Sequence, residues 1–76
     1  MDPHPSPQLA ALVAQAEALT RNGRPQDAAG LWEKVVALDP DHATALNQLG
    51  ALALAQGALG LAQSRLERAL AADPGL

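Results

Sequence analysis

The sequence predicts an all-α fold, made of two tandem antiparallel helix-turn-helix hairpins with four helices stacked as a short α-solenoid. Three observations predict it. Hydrophobic residues make up 49% of the 76 residues but aromatics only 1%, so the apolar content is chiefly helix-forming Ala and Leu. Helix breakers divide the chain into helical lengths. The pattern of breakers and apolar residues also repeats along the chain, which is long enough for one small domain.

The first helix is predicted from its two flanking signals. Residues 1–6 alternate Pro with polar residues and predict an extended or disordered lead. Ser6 can cap a helix that begins at Pro7, where a missing N–H is harmless. Asn22-Gly23 suits a left-handed stop. We therefore expect the helix to reach about Arg21.

The second and third helices meet at a proline. The second should begin at Pro25 and end near Leu38, because the residue before a proline is pushed out of the helical region and Asp39-Pro40 follows. Asp41 is then placed to cap a third helix that reaches Gln56.

The third and fourth helices are bounded by the same kinds of helix-breaking residues as the first and second. Gly57 ends the third helix, residues 59–72 form the fourth, and Asp73-Pro74-Gly75 stops it. Matching residues lie 34 positions apart: Gly23 with Gly57, Ala28 with Ala62, Asp39 with Asp73, and Pro40 with Pro74. A fixed period of helix, turn, helix, turn indicates stacked helical hairpins.

The residues at these positions resemble the tetratricopeptide repeat family. The second unit carries Leu46, Leu49-Gly50, Ala53, Gly57, Ala62, Leu66, Ala69-Leu70 and Asp73-Pro74. The first carries Gly23, Ala28, Trp32 and Asp39-Pro40, with Gln15-Ala16 where the family prefers Leu-Gly. The resemblance implies repeats at residues 9–42 and 43–76, within one domain over residues 7–76. It also implies a right-handed solenoid that binds proteins.

Small residues should mark the helix crossings. Gly50, Ala28 and Ala62 are expected where the two helices of a hairpin cross, because they allow the backbones to approach closely. Trp32, Leu66 and Leu70 are expected to fill the space beside these crossings.

In the family, the first helix of each unit lines a concave face that holds partner peptides. Carried over by position, the candidate groove residues are Val13, Glu17, Thr20, Arg21, Thr44, Asn47, Gln48, Ala51 and Leu54. Asn47 and Gln48 could bond a peptide backbone, and Val13 and Leu54 could accept apolar side chains. An ordinary solvated face is an equal alternative. Val13 and Glu17 replace the Lys and Asn with which some members clamp a C-terminal carboxylate, which disfavours chaperone-tail binding.

The sequence predicts no catalytic, cofactor or metal site. Asp39, Asp41 and His42 cluster around a proline, but a helix stop with an N-cap explains them better than a metal site with too few ligands. His4 lies in the lead, without a partner for a switch or a ligand role. Ser64 has no neighbouring base at helical spacing.

Charge and composition exclude further classes. Net charge is -3 with only five Lys and Arg, so no basic patch favours nucleic acid. The longest low-polarity run, residues 49–62, is shorter than the roughly 20 residues of a membrane span. The absence of cysteine fits a cytoplasmic location, and one Lys among many Ala, Leu, Arg and Pro suggests a GC-rich bacterial source. Glu17 and Arg21, four apart, predict a weak ion pair.

The last helix should leave apolar surface uncovered. Leu59, Leu66 and Leu70 form a predicted self-association face, because hairpin solenoids need a cap or a neighbour on their final helix. Two function classes stay open. The chain is a protein-interaction adaptor that binds a partner peptide or forms a homo-oligomer, or it is the N-terminal recruiting module of a larger enzyme, such as a transferase or oxygenase. A stand-alone enzyme is disfavoured.

Overall fold

A computed structural model describes residues 7–75, and these form four helices in chain order. The helices are α1 (Pro7–Arg21), α2 (Pro25–Leu38), α3 (Ala43–Ala55) and α4 (Leu59–Ala72). Each helix packs against the next, so α1 and α2 form one hairpin, α3 and α4 form the other, and α2 joins them. The predicted fold class is confirmed, while the predicted lead, with His4 and the Ser6 cap, lies outside the described residues.

Both hairpins turn on a glycine with a left-handed backbone. Gly23 has φ of 75° and Gly57 has φ of 79°, a region that L side chains rarely adopt. Around Gly23, the amide of Arg24 donates to the Leu19 carbonyl at 2.9 Å and the Gly23 amide donates to Thr20 at 3.1 Å. The same pair of bonds recurs around Gly57. These are Schellman motifs, which satisfy the last carbonyls of α1 and α3.

The turn between the hairpins corrects one prediction. The N-cap of α3 is His42, whose Nδ1 accepts the Ala45 amide at 3.1 Å, and not Asp41. The Asp41 amide instead donates to the carboxylate of Asp39 at 3.3 Å, an Asx turn across the proline. The prediction placed the cap one residue early because the turn uses Asp41 itself, and the His42 ring lies 6.5 Å from that of Trp32.

The core lies mostly where α2 is enclosed by α1 and α3. Trp32 is its largest side chain and is 2% exposed. The buried cluster consists of Ala16, Ala28, Trp32, Val35, Ala45 and Leu49. Half-buried residues of α1, including Leu12 and Leu19, pack against it. Half of these six residues are alanines, so the helices approach closely and the single large ring fills the remaining space.

The crossing of α3 and α4 depends on a glycine. A Cβ built on Gly50 would lie 2.7 Å from Cγ and Cδ2 of Leu66 and 3.3 Å from its backbone nitrogen. Ala28 and Ala62 are buried, so the small residues lie in close packing as predicted. Leu66 packs alongside, but the same prediction is wrong for Leu70, which is 51% exposed.

Two arginines of α4 connect the second hairpin to the first. Nη2 of Arg65 lies 3.2 Å from Oε1 of Glu33 on α2. Nη2 of Arg68 donates to the carbonyl of Pro40 in the inter-hairpin turn at 2.7 Å. Glu33 is half exposed, so the ion pair adds little stability.

Candidate functional site

A groove between α1 and α3 contains a pocket with charged walls. We call it the polar pocket, and it has a volume of about 190 Å³. Its lining consists of Glu17, Thr20, Arg21, Trp32, Thr44 and Gln48. Two walls come from the facing helices, and the tryptophan of α2 lies between them. The groove is therefore formed by both hairpins and requires their mutual packing.

An apolar pocket adjoins the polar one along the groove. Its volume is about 180 Å³. Its lining consists of Thr20, Pro25, Trp32, Gln48, Leu49, Ala51, Leu52 and Ala55. Thr20, Trp32 and Gln48 line both pockets, so the two form one continuous surface. Each pocket is smaller than the roughly 300 to 1,000 Å³ of typical small-molecule sites, and a single side chain matches the size better.

A short hydrogen-bond chain fixes the shared wall. The Trp32 indole Nε1–H donates to Oγ1 of Thr20 at 3.4 Å, and that hydroxyl donates to the carbonyl of Ala16 at 2.9 Å. Trp32 therefore has a partner for its only polar group although the ring is buried. The arrangement orders the wall before any ligand arrives.

Polar groups in the groove remain available for a ligand. Within residues 7–75, the Gln48 carboxamide makes no hydrogen bond, and it carries two donors and an acceptor. The predicted ion pair between Glu17 and Arg21 is not formed among the described residues, whose salt bridges are Arg24 with Asp27 and Arg65 with Glu33. An exposed pair four residues apart gains only tenths of a kcal/mol, about 0.3, which is too little to fix both side chains.

The structure brings together most of the predicted groove residues. Five line the polar pocket: Glu17, Thr20, Arg21, Thr44 and Gln48. Ala51 lines the apolar pocket. Val13 does not line either, because its side chain packs against the core. Asn47 and Leu54 also lie outside both pockets.

Sequence reasoning missed the residues that shape the apolar pocket. It assigned Trp32 to core filling only, and it did not place Pro25, Leu49, Leu52 or Ala55 in the groove. One signal could have found the tryptophan: a lone aromatic ring with an N–H needs a polar neighbour, which places it at a boundary between core and surface.

The last helix exposes apolar surface at the end of the stack. Leu59 is 65% exposed and Leu70 is 51% exposed, while Leu54, just before the turn into α4, is 55% exposed. Leu66 of the predicted face is half-buried, because it packs on Gly50. We call Leu59, Leu66 and Leu70 the end face. Leu61 is also 51% exposed, but it lines a different cleft with Glu33 and Arg65.

Ligand-type side chains and helix length bear on two other kinds of site, for metals and for membranes. Within residues 7–75 there is no group of three or more His, Cys, Asp or Glu side chains placed to hold a metal ion. His42 uses its Nδ1 for the helix cap. None of the helices α1 to α4 has the length and apolar character needed to cross a membrane.

Comparisons with known proteins agree with the architecture. The family model described as tetratricopeptide repeat matches residues 7–74, nearly the whole of the described chain. No significant match was found among curated proteins or among solved structures. The match spans both hairpins and their turns, including the paired glycines and the paired Asp-Pro stops. The chain belongs to the tetratricopeptide repeat family.

Proposed function

We propose that this chain is a non-catalytic interaction module that holds an extended peptide in the groove between α1 and α3. Tetratricopeptide repeats are protein-interaction scaffolds, which supports the class of function. The observation that carries the finer proposal is the pair of adjoining pockets, each of side-chain size, joined by Thr20, Trp32 and Gln48.

The chemistry of the two pockets favours a particular kind of peptide. An aliphatic side chain fits the apolar pocket between Leu52 and the Trp32 ring. The Gln48 carboxamide can exchange hydrogen bonds with a backbone amide beside it. Glu17 and Arg21 line the neighbouring pocket with opposite charges, so it suits a polar residue of the peptide. Extended peptides match this pattern, since backbone bonds give affinity and alternate pockets give specificity.

A selection experiment tests the proposal without knowledge of the partner. A displayed library of random peptides is selected on the immobilised chain, and recovered peptides are titrated against two variants. Ala51→Arg fills the apolar pocket from an exposed position on α3. Ala37→Arg makes the same change at an exposed position of α2 that lines neither pocket, and serves as the control.

The proposal expects peptides with an aliphatic residue in common, bound equally by the wild type and Ala37→Arg and at least tenfold more weakly by Ala51→Arg. Failure to enrich any peptide contradicts it. Peptides that bind Ala51→Arg as well as the wild type also contradict it, because they occupy another surface.

Self-association through the end face is a second candidate function. It is supported by the exposure of Leu59 and Leu70, more than half of each side chain, on the last helix of the stack. A homo-oligomer of this kind leaves the groove free for a peptide. Attachment to a larger enzyme such as a transferase or oxygenase, and a cytoplasmic location, stay predictions.

A further inference from the structure

The first repeat contains an apolar stripe equivalent to the end face, and there the stripe is packed against the next helix. Leu59, Leu66 and Leu70 of α4 occupy the positions that Pro25, Trp32 and Val36 occupy in α2, 34 residues earlier. In α2 that stripe faces α3: Pro25 and Trp32 line the apolar pocket with Leu49 and Leu52. Trp32 is buried and Val36 is half-buried there, whereas their equivalents on α4 are more open, with Leu66 half-buried and Leu70 51% exposed. Pro25, the equivalent of Leu59, is exposed even beside α3. The missing occupant of the stripe is therefore an apolar helix face.

The first helix of another copy is a poor occupant. On α3 the stripe of α2 meets Ala45, Leu49 and Leu52; the equivalent residues of α1 are Ala11, Gln15 and Ala18. Head-to-tail stacking would bury the Gln15 amide where the internal interface has a leucine, and a buried amide without a partner is costly.

A head-to-tail stack would also not reproduce the ion pair that joins the two hairpins. Arg65 pairs with Glu33 in the structure. In a head-to-tail stack, Glu67 would replace Glu33 and Leu31 of the next copy would replace Arg65, so the carboxylate would face a leucine. Continuation of the solenoid by copies of this chain therefore has two mismatches.

The apolar stripe on α4 can pair with the same stripe on a second copy whose α4 runs antiparallel to it. The midpoint between positions 59 and 70 is also the midpoint between positions 63 and 66. A twofold axis there sets Leu59 against Leu70 of the second copy, and Gln63 against Leu66. This pairing also buries an amide on each copy, that of Gln63, but the two amides lie near the axis, where each can donate to the other; Gln15 in a head-to-tail stack has no such symmetry mate. Self-complementarity of this kind is what a closed twofold interface requires.

The charges of α4 are compatible with this pairing. Arg65 and Arg68 are turned back onto the first hairpin by Glu33 and the Pro40 carbonyl, so neither is buried by a helix on the stripe. Antiparallel helices also place opposite ends of their dipoles side by side, whereas parallel ones would align them and bring the two Glu67 side chains together.

We propose that the end face pairs with the end face of a second copy, α4 against α4 in antiparallel orientation about a twofold axis. The inference rests on the self-association proposed above, and names its partner and geometry. With one helix and one turn per copy, the interface belongs to the small class below about 1,200 Å² in total, so the dimer is expected to be weak, with a Kd in the micromolar range or above.

The first test is the mass of the chain by sedimentation equilibrium over a wide concentration range. We expect a monomer and dimer equilibrium without higher species. Leu70→Gln should raise the dimer Kd at least tenfold. Leu61→Gln is the matched control, since both leucines are 51% exposed on the same helix but only Leu70 lies on the end face. Glutamine is a good helix former at both positions. Circular dichroism verifies that each variant is folded.

The second test reads the orientation. The chain has no cysteine, so single Leu59→Cys and Leu70→Cys variants report unambiguously. Mild oxidation of a mixture should give disulfide dimers joining position 59 to position 70, in excess of those from either variant alone. In the antiparallel pair, two copies of position 59 lie roughly 16 Å apart along the axis, too far for a disulfide.

The outcomes separate the proposals. A monomer at all concentrations overturns self-association altogether and leaves the peptide groove untouched. A dimer that crosslinks within each single variant overturns the antiparallel geometry only. Open-ended species that grow with concentration also overturn it, because they indicate head-to-tail stacking. Equal effects of Leu70→Gln and Leu61→Gln remove the end face as the interface.

Discussion

Replacement of Gly50 by alanine tests the close approach of α3 and α4. The new Cβ would lie 2.7 Å from Cγ and Cδ2 of Leu66, nearer than real Cβ contacts, so the leucine must shift. The nearby backbone nitrogen of Leu66, at 3.3 Å, limits a movement of the helix itself. The variant therefore reports directly on the packing that sets the shape of the second hairpin.

The magnitude follows from two opposing terms. Overpacking of a well-packed site typically costs about 1–3 kcal/mol. Alanine is favoured over glycine inside a helix by about 1 kcal/mol. The net destabilisation of Gly50→Ala should be about 1 kcal/mol. Gly30→Ala supplies the control, because Gly30 is exposed inside α2 and a Cβ there meets nothing within 4 Å. That variant should gain about 1 kcal/mol, so the two should differ by about 2.

Urea unfolding followed by circular dichroism measures both free energies of unfolding. A second pair of variants isolates the contact: in a Leu66→Ala background the two clashing atoms are absent, so Gly50→Ala should become stabilising. The reasoning is refuted if Gly50→Ala stabilises the otherwise unchanged chain as much as Gly30→Ala does, because the measured contact would then impose no strain.

Four further variants test the turns and the contact between hairpins, all by the same unfolding assay. His42→Ala should cost about 1 kcal/mol through the lost helix cap, whereas Asp41→Ala should be near neutral; the reverse order would restore Asp41 as the cap. Gly57→Ala should cost about 1–2 kcal/mol because φ is 79° there, and no loss would contradict the left-handed turn. Glu33→Gln, which leaves the largely buried Arg65 side chain in place, should cost less than about 1 kcal/mol because Glu33 is half exposed, and a much larger loss would show that the ion pair matters more than this exposure implies.

The helix bounds could be read from the sequence because each is set by local chemistry. Proline begins α2, and glycine residues at 23 and 57 end α1 and α3. These residues restrict the backbone whatever surrounds them, so the predicted bounds of α1, α2 and α4 coincide with those observed. The third helix ends at Ala55, one residue before the predicted Gln56, which is its C-cap. The cap of α3 was misassigned because two candidates stand side by side, and the turn through Asp39 selects between them.

The site was less predictable because it depends on how the hairpins rotate against each other. Repeat positions identified Thr20 and Gln48 as groove residues, but they could not reveal that Val13 would turn toward the core. Leu66 and Leu70 were both predicted beside the helix crossing and also on the open face, and repeat positions could not show that Leu66 would pack on Gly50 while Leu70 stays exposed. Such outcomes depend on contacts between helices distant in sequence, and periodicity alone does not contain them.

The indole N–H of Trp32 gives the most direct test of the groove. It is the only tryptophan of the chain, and its ring lines both pockets. A peptide recovered by the library selection is titrated into the isotope-labelled chain, and the indole cross-peak is followed by NMR. We predict a saturable shift of this peak with the same Kd as the overall binding, and its loss in Ala51→Arg. Binding that leaves the indole peak in place while moving signals elsewhere would contradict the proposed groove.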